Sequence, residues 1–180
     1  MSIAIKYLEK LKGENILVDV YTDHYDDSFY GFIIKFNDDF LLLEHYTNDL
    51  IYNGVIIFRR DDITRIKWSG NGLNSSLKLI DSSTRVTSVN DIRIDSIESI
   101  LDSISLKYKH VTLQIQNIDK GMCIIGEIED IDSESIVINE FGTKSTLDRG
   151  FLLIALNEIT RIDAGGIYET NLLKLHNKTV

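Results

Sequence analysis

An internal repeat constrains the fold of this chain more than any other feature. Residues 54–66 (GVIIFRRDDITRI) reappear as residues 150–162 (GFLLIALNEITRI), with the glycine, the apolar run, an acidic residue and Ile-Thr-Arg-Ile in register. The match extends to Glu44, which aligns with Glu140 at the same spacing, and to Gly31, which aligns with Gly126 one residue out of phase. Such self-similarity indicates an internal duplication and therefore two related structural units.

The length and the local composition place the boundaries of these units. At 180 residues the chain can hold two small domains, and we predict them at residues 1–80 and 95–180. Residues 81–94 lack hydrophobic periodicity and contain many small polar side chains, so we predict a linker there.

Each unit opens with a helical pattern and continues with strand patterns. Ile5, Leu8 and Leu11 recur at helical spacing in the first unit, and Ile97 and Leu101 begin the same pattern in the second. The predicted strands are residues 16–22, 29–36, 40–46, 54–59 and 63–68, and then 111–116, 123–130, 135–140, 150–156 and 159–163. We predict a mainly β fold of two tandem, small, five-stranded β-barrels, each preceded by a short α-helix.

Two glycine-led segments resemble the first motif of the Sm-like family of small SH3-like barrels. They are residues 31–43 (GFIIKFNDDFLLL) and 126–138 (GEIEDIDSESIVI), and Arg149-Gly150 is similar to the family's second motif. The resemblance implies RNA binding through an asparagine, but Leu41 and Ile136 stand at the matching positions. PRC-like barrels share a similar strand rhythm and are the alternative resemblance.

The charge and the apolar pattern exclude several kinds of partner and site. The net charge of −9 disfavours non-specific binding to nucleic acid or anionic membranes and suits solubility or a basic protein partner. No stretch is long and apolar enough to span a membrane, and no secretory signal is recognisable. The single cysteine, Cys123, excludes an internal disulfide, is predicted to lie in the core and fits a cytoplasmic protein.

No residue pattern favours catalysis, a metal or a cofactor. The acidic loop at residues 23–27 (DHYDD) lacks the ligand alternation and the glycine of a calcium loop, and it is interpreted as a solvated turn. The four histidines do not recur at matched positions, and none stands beside Cys123 as a base. We therefore predict a protein that is not an enzyme and that needs no cofactor.

Candidate binding residues are arginines of the repeat and tyrosines of the first unit. Arg65 and Arg161 occupy identical Ile-Thr-Arg-Ile settings, and the favoured interpretation pairs each with an acid such as Asp62 or Glu158. The tyrosines are predicted to belong to an exposed aromatic set of the first unit, where tyrosine supplies a large contact area with a polar tip for a protein interface. The candidates are Tyr25, Tyr46, Tyr52, Arg59, Arg60, Arg65 and Arg161.

These observations favour a non-enzymatic protein-binding module or inhibitor. The competing interpretation is an Sm-like RNA-binding protein. Its RNA-binding surface would be a basic patch that includes Lys35 and Lys67. Small barrels join through edge strands, so the two linked units are predicted to form a pseudo-dimer within one chain, and further oligomerisation stays open.

Overall fold

The computed structural model describes residues 2–80 and 87–179, which fold as two compact units, Met1–Ile94 and Asp95–Val180. The first unit contains helix α1 (Ile3–Gly13), strands β1 (Leu17–Thr22), β2 (Asp27–Phe36), β3 (Phe40–Tyr46), β4 (Tyr52–Arg59) and β5 (Arg65–Trp68), and helix α2 (Asn71–Leu79). The second contains α3 (Ile97–Tyr108), β6 (Val111–Gln114), β7 (Cys123–Ile131), β8 (Ser135–Glu140), β9 (Gly150–Ala155), β10 (Arg161–Ala164) and α4 (Ile167–Thr179).

The prediction of a mainly β chain with a helix ahead of each set of five strands is confirmed. Within the first unit the antiparallel strands lie in the order β5-β1-β2-β3-β4, and within the second in the order β10-β6-β7-β8-β9. In the described part of each unit no pairing joins the fifth strand to the fourth, so the sheet is open and the predicted barrel closure is not found. Each fifth strand is only four residues long and uses its ladder to pair with the first strand.

Both faces of the first sheet carry apolar side chains. Leu8 and Leu11 of α1 belong to one cluster, whose strand members are Val18, Val20, Ile33, Leu41, Leu43, Ile56 and Phe58. Leu73 of α2 belongs to the other, with Leu17, Phe32, Tyr46 and Ile80. In the second unit Ile100, Leu101 and Ile104 of α3 are buried in the same way. This two-sided burial follows from the alternation of side chains along each strand.

The strand pairings correct the alignment of the two units. Gly31 lies opposite His45, and Gly126 lies opposite Glu140, so the structural counterpart of Glu140 is His45 and not Glu44. Likewise, Leu41 corresponds to Ile136. The additional residue of the second unit therefore lies between its third and fourth strands. The correction matters because a one-residue slip moves every strand side chain to the opposite face.

Part of the predicted linker belongs to the first unit. Residues 81–86 lie outside the described residues, whereas residues 87–91 form a 3₁₀ turn. Val89 and Ile92 are buried, and Lys35 Nζ of β2 donates a hydrogen bond of 3.0 Å to the carbonyl oxygen of Ile92. Residues 89–94 therefore contribute buried side chains and hydrogen bonds to the first compact unit.

Candidate functional site

A groove between α1 and β5 is a concave apolar feature of the first unit. Its volume is about 370 Å³. Its lining, which we call the α1–β5 groove, consists of Ile3, Ala4, Tyr7, Leu8, Leu11, Leu41, Arg60, Ile63, Thr64, Arg65, Ile66 and Trp68. Apolar concavities with a few polar groups are the usual form of a binding site.

The helix contributes more apolar surface than the core uses. The α1 residues of the groove stand at positions 3, 4, 7, 8 and 11, which is one face of a helix. Leu8 and Leu11 are buried, but Ile3 is 78% exposed and Tyr7 is 39% exposed. Ser2 begins the helix by accepting a hydrogen bond of 3.3 Å from the backbone N–H of Ile5, which places Ile3 in its first turn. The apolar stripe of α1 therefore continues past the core to the rim of the groove.

An aromatic pair, with one ring from α1 and one from β5, joins the two sides of that rim. The ring centroids of Tyr7 and Trp68 lie 5.5 Å apart, and 36% of Trp68 is exposed. Trp68 is the only tryptophan of the chain. Its fluorescence therefore reports on the groove alone.

Arg65 stands at the edge of the groove within an ordered polar network. Its Nε and Nη2 atoms donate to the Asp23 carboxylate at 2.8 and 2.7 Å, and its guanidinium lies 3.7 Å from the centroid of the Tyr21 ring. Hydrogen bonds from Arg65 and Thr64 lower the pKa of Asp23 to about 2. The hydrogen bond from the Tyr21 hydroxyl to the buried Asp19 carboxylate raises the pKa of Tyr21. The acid that pairs with Arg65 is thus Asp23, and the predicted partner Asp62 is wrong.

We expect the Asp23 carboxyl carbon to titrate with a midpoint near pH 2 in a ¹³C NMR experiment on the folded protein. In Arg65→Gln the midpoint should rise toward the ordinary aspartate value of 3.8, because the main cause of the shift is removed. A depressed folded-state pKa stabilises the protein above about pH 4, and this contribution is lost as the pH falls toward 2. Arg161→Gln is the matched control and should leave the midpoint unchanged, and a normal midpoint in the unaltered protein would contradict the ion pair.

The other arginine candidates of the first unit lie next to the groove. Arg60 lines it, and its Nη1 atom donates to the carbonyl oxygen of Asn37 at 2.6 Å. Arg59 lies outside the lining, with its guanidinium 5.9 Å from the Phe40 ring. Arg60 and Arg65 are thus brought to one site, and Arg59 flanks it.

The three tyrosine candidates do not gather at the groove. Tyr46 is 1% exposed and donates a 2.8 Å hydrogen bond to Glu44, so its predicted place in an exposed aromatic set is wrong. The reason is that Tyr46 lies on the sheet face that packs with α2. Tyr52 is half-buried against Tyr46, and Tyr25 donates to Asp62 at 3.2 Å. The binding roles of Tyr25 and Tyr52 stay predictions.

The second unit differs at the positions that match the groove. The Arg161 side chain is 11% exposed and donates to Asp163 of its own strand at 3.0 Å, whereas the Arg65 side chain is 59% exposed. Its partner is therefore Asp163, and the predicted partner Glu158 is wrong. Ile162 and Ala164 are buried, while their counterparts Ile66 and Trp68 are half-buried and exposed. The repeat thus presents its fifth strand to solvent only in the first unit.

Cys123 is exposed, so its predicted place in the core is wrong. It starts β7 beside a concavity of the second unit and not within the buried part of the strand. The residue as a whole is exposed, but its thiol is partly desolvated beside the concavity, and this desolvation together with the negative charge of Asp163 raises the pKa of Cys123 to about 11. Because the thiolate is the reactive form, this environment makes Cys123 a poor nucleophile near neutral pH.

The described residues contain no group of three or more histidine, cysteine, aspartate or glutamate side chains arranged to hold a metal ion. No helix in the described ranges has the length and hydropathy to cross a membrane. Comparison with protein-family models, with curated proteins and with solved structures finds no match for this chain.

Three groove residues were not predicted from the sequence: Ile3, Tyr7 and Ile66. The signal was present in α1, where apolar residues at positions 3, 4, 7, 8 and 11 form a wider stripe than the Ile5, Leu8 and Leu11 pattern. Ile66 gave no such signal, because its sequence setting is identical to that of Ile162, which is buried.

Proposed function

We propose that this chain is a non-enzymatic protein-binding protein, built from two small Sm-like barrels, that binds or inhibits a protein partner in the cytoplasm. The observation that carries the proposal is the α1–β5 groove, in which Ile3, Tyr7 and Trp68 remain exposed. Exposed apolar surface arranged around a concavity is typical of interaction sites. The strand order, with the fifth strand beside the first, supports the proposal that each unit is a small Sm-like barrel.

The polar contacts of the first unit favour a protein over RNA as the partner. Lys35 Nζ donates to a backbone carbonyl, and Arg65 is held by Asp23. Arg60 also donates to a backbone carbonyl. The net charge of −9 also opposes the many phosphates of a nucleic acid, whose binding requires clustered positive charge.

The proposal is tested by affinity capture from native cells with three tagged, full-length baits. These are the unaltered chain, Ile3→Glu and Ile51→Glu, each with and without nuclease treatment. Ile3 lines the groove, whereas Ile51 is 54% exposed elsewhere in the same unit, so the two variants make the same chemical change. Glutamate in the first turn of α1 suits the helix dipole and should not disturb the fold.

We expect a protein that survives nuclease treatment, that is recovered at least about tenfold less with Ile3→Glu and that is unchanged with Ile51→Glu. An unaltered bait that retains no protein, or whose companions disappear with nuclease, contradicts a protein-binding function. Equal recovery of the partner with both variants would show that the groove does not take part in binding.

A further inference from the structure

We infer that the α1–β5 groove binds an extended, acidic and apolar segment of the partner, added as a strand along the free edge of β5. The inference rests on the proposed function, because it assigns the chemistry of the partner at that same groove. Three observations carry it: the unpaired edge of β5, the burial of the same sequence motif in the second unit, and the charge of the lining.

The edge of β5 is open for pairing. Among the described strands, β5 pairs only with β1, through Arg65 to Trp68. A strand that is paired on one side presents backbone N–H and C=O groups on its other side, and an extended peptide can satisfy them. Ile66 and Trp68 of β5 also line the groove, so a segment that follows this edge has apolar surface beside it.

The repeat shows that this motif tolerates complete burial. Thr160 and Ile162 of the second unit are 3% and 2% exposed, although they belong to the same Ile-Thr-Arg-Ile sequence as Thr64 and Ile66. In the first unit Thr64 is exposed and Ile66 is half-buried. Covering Thr64 and Ile66 therefore buries residue types that the chain already buries in the same sequence motif of the second unit.

Although the chain is acidic overall, the charged groups of the groove lining are basic and favour an acidic segment. Arg60 and Arg65 are the only charged residues of the groove lining. Asp23 engages Nε and Nη2 of Arg65, and Asn37 and Asp38 engage Nη1 of Arg60. Within the described residues, Nη1 of Arg65 and Nε and Nη2 of Arg60 have no partner. A carboxylate can accept hydrogen bonds from them, while an adjacent apolar side chain fills the groove.

A second copy of the chain matches this site less well. Its strand β9 ends the strand order of the second unit and exposes Phe151 and Leu153. However, residues 150–155 (GFLLIA) contain no carboxylate for Arg60 and Arg65. We therefore assign the site to a different protein, and self-association becomes one outcome of the test.

The test titrates a short synthetic peptide of alternating valine and glutamate into the full chain and follows the fluorescence of Trp68. We expect a saturable blue shift, because the peptide removes the indole from water. Two control peptides carry either proline at the central position, which removes a strand hydrogen bond, or serine in place of every glutamate. Each control peptide, and the Ile3→Glu protein with the original peptide, should bind at least about tenfold more weakly, and Ile51→Glu should bind normally.

Each contrary result overturns a named part of the inference. Equal affinity for the proline peptide excludes strand addition, equal affinity for the serine peptide excludes the arginines, and no shift excludes the acidic extended segment. If the blue shift appears without peptide as the protein concentration rises, and light scattering gives twice the monomer mass, the groove binds a second copy of the chain. If cellular capture still depends on Ile3 while the peptide fails, the proposed function stands and only this inference is rejected.

Discussion

Replacing Gly31 by alanine is expected to lower the free energy of unfolding by about 3 kcal/mol, among the largest effects of any single methyl group in this chain. A Cβ atom at Gly31 would lie 2.1 Å from the backbone oxygen of Glu44 and 2.7 Å from Cγ of Leu43. The backbone oxygen belongs to the neighbouring strand β3, so it cannot move aside as a flexible side chain would. Urea unfolding followed by circular dichroism measures the change.

Gly72→Ala is the matched control for Gly31→Ala. Gly72 lies within helix α2, and a Cβ atom there would meet nothing within 4 Å. Alanine is favoured over glycine in a helix by up to about 1 kcal/mol, so this variant should be unchanged or more stable. Equal loss of stability in both variants would show that the close approach of β2 to β3 is not the cause.

Replacing Phe58 by alanine is expected to cost about 4 kcal/mol of unfolding free energy. Phe58 is 1% exposed, belongs to the cluster that packs under α1, and its ring centroid lies 5.4 Å from that of Phe29. Truncation removes these contacts and leaves a cavity that the surrounding strands can only partly fill. The measurement is chemical denaturation, with the free energy extrapolated to water.

Phe151→Ala makes the same chemical change in the fourth strand of the second unit. Phe151 is 66% exposed, because it lies on the opposite strand face from the position that corresponds to Phe58. Its replacement should alter the unfolding free energy by no more than about 0.5 kcal/mol. A loss comparable to that of Phe58→Ala would mean that Phe151 is covered in solution, which contradicts its exposure.

The strands and the two leading helices could be predicted because their apolar residues follow clear periods. Helices α2 and α4 were missed for different reasons. Residues 71–79 (NGLNSSLKL) combine a glycine, asparagines and serines, all poor helix formers, and Gly70 before them has a left-handed φ of 95°, which is typical of a turn. In α4, residues 173–175 (LKL) repeat residues 77–79, which indicates the duplication but gives no helical period.

The register of the repeat could not be read from residue identities alone. Glu44 and His45 both stand near the position that matches Glu140, and residue identity favours Glu44. Pairing across β2 and β3 decides for His45, because Gly31 and Gly126 fix the close approach of the two strands in each unit. The only sequence signal of such a backbone contact is the glycine itself.

The candidate site was only partly predictable. The sequence singled out Arg60 and Arg65, which both line the groove, but it grouped Tyr46 with exposed aromatics although it is buried. Whether a tyrosine in a strand faces solvent depends on which sheet face is covered, and here α2, which was not predicted, lies on that face. The exposure of β5 could not be predicted from the sequence either, because Ile-Thr-Arg-Ile is the same in both units.

The position of the one-residue length difference between the units has a practical consequence for engineering. Eight positions separate Tyr46 from Gly54, and nine separate their counterparts Phe141 and Gly150, while the strands on either side keep their pairing. The chain has thus already accommodated an added residue in this loop. The segment between β3 and β4 is accordingly the natural place to insert an epitope or a fluorescent label while the groove, formed by α1 and β5, stays unmodified.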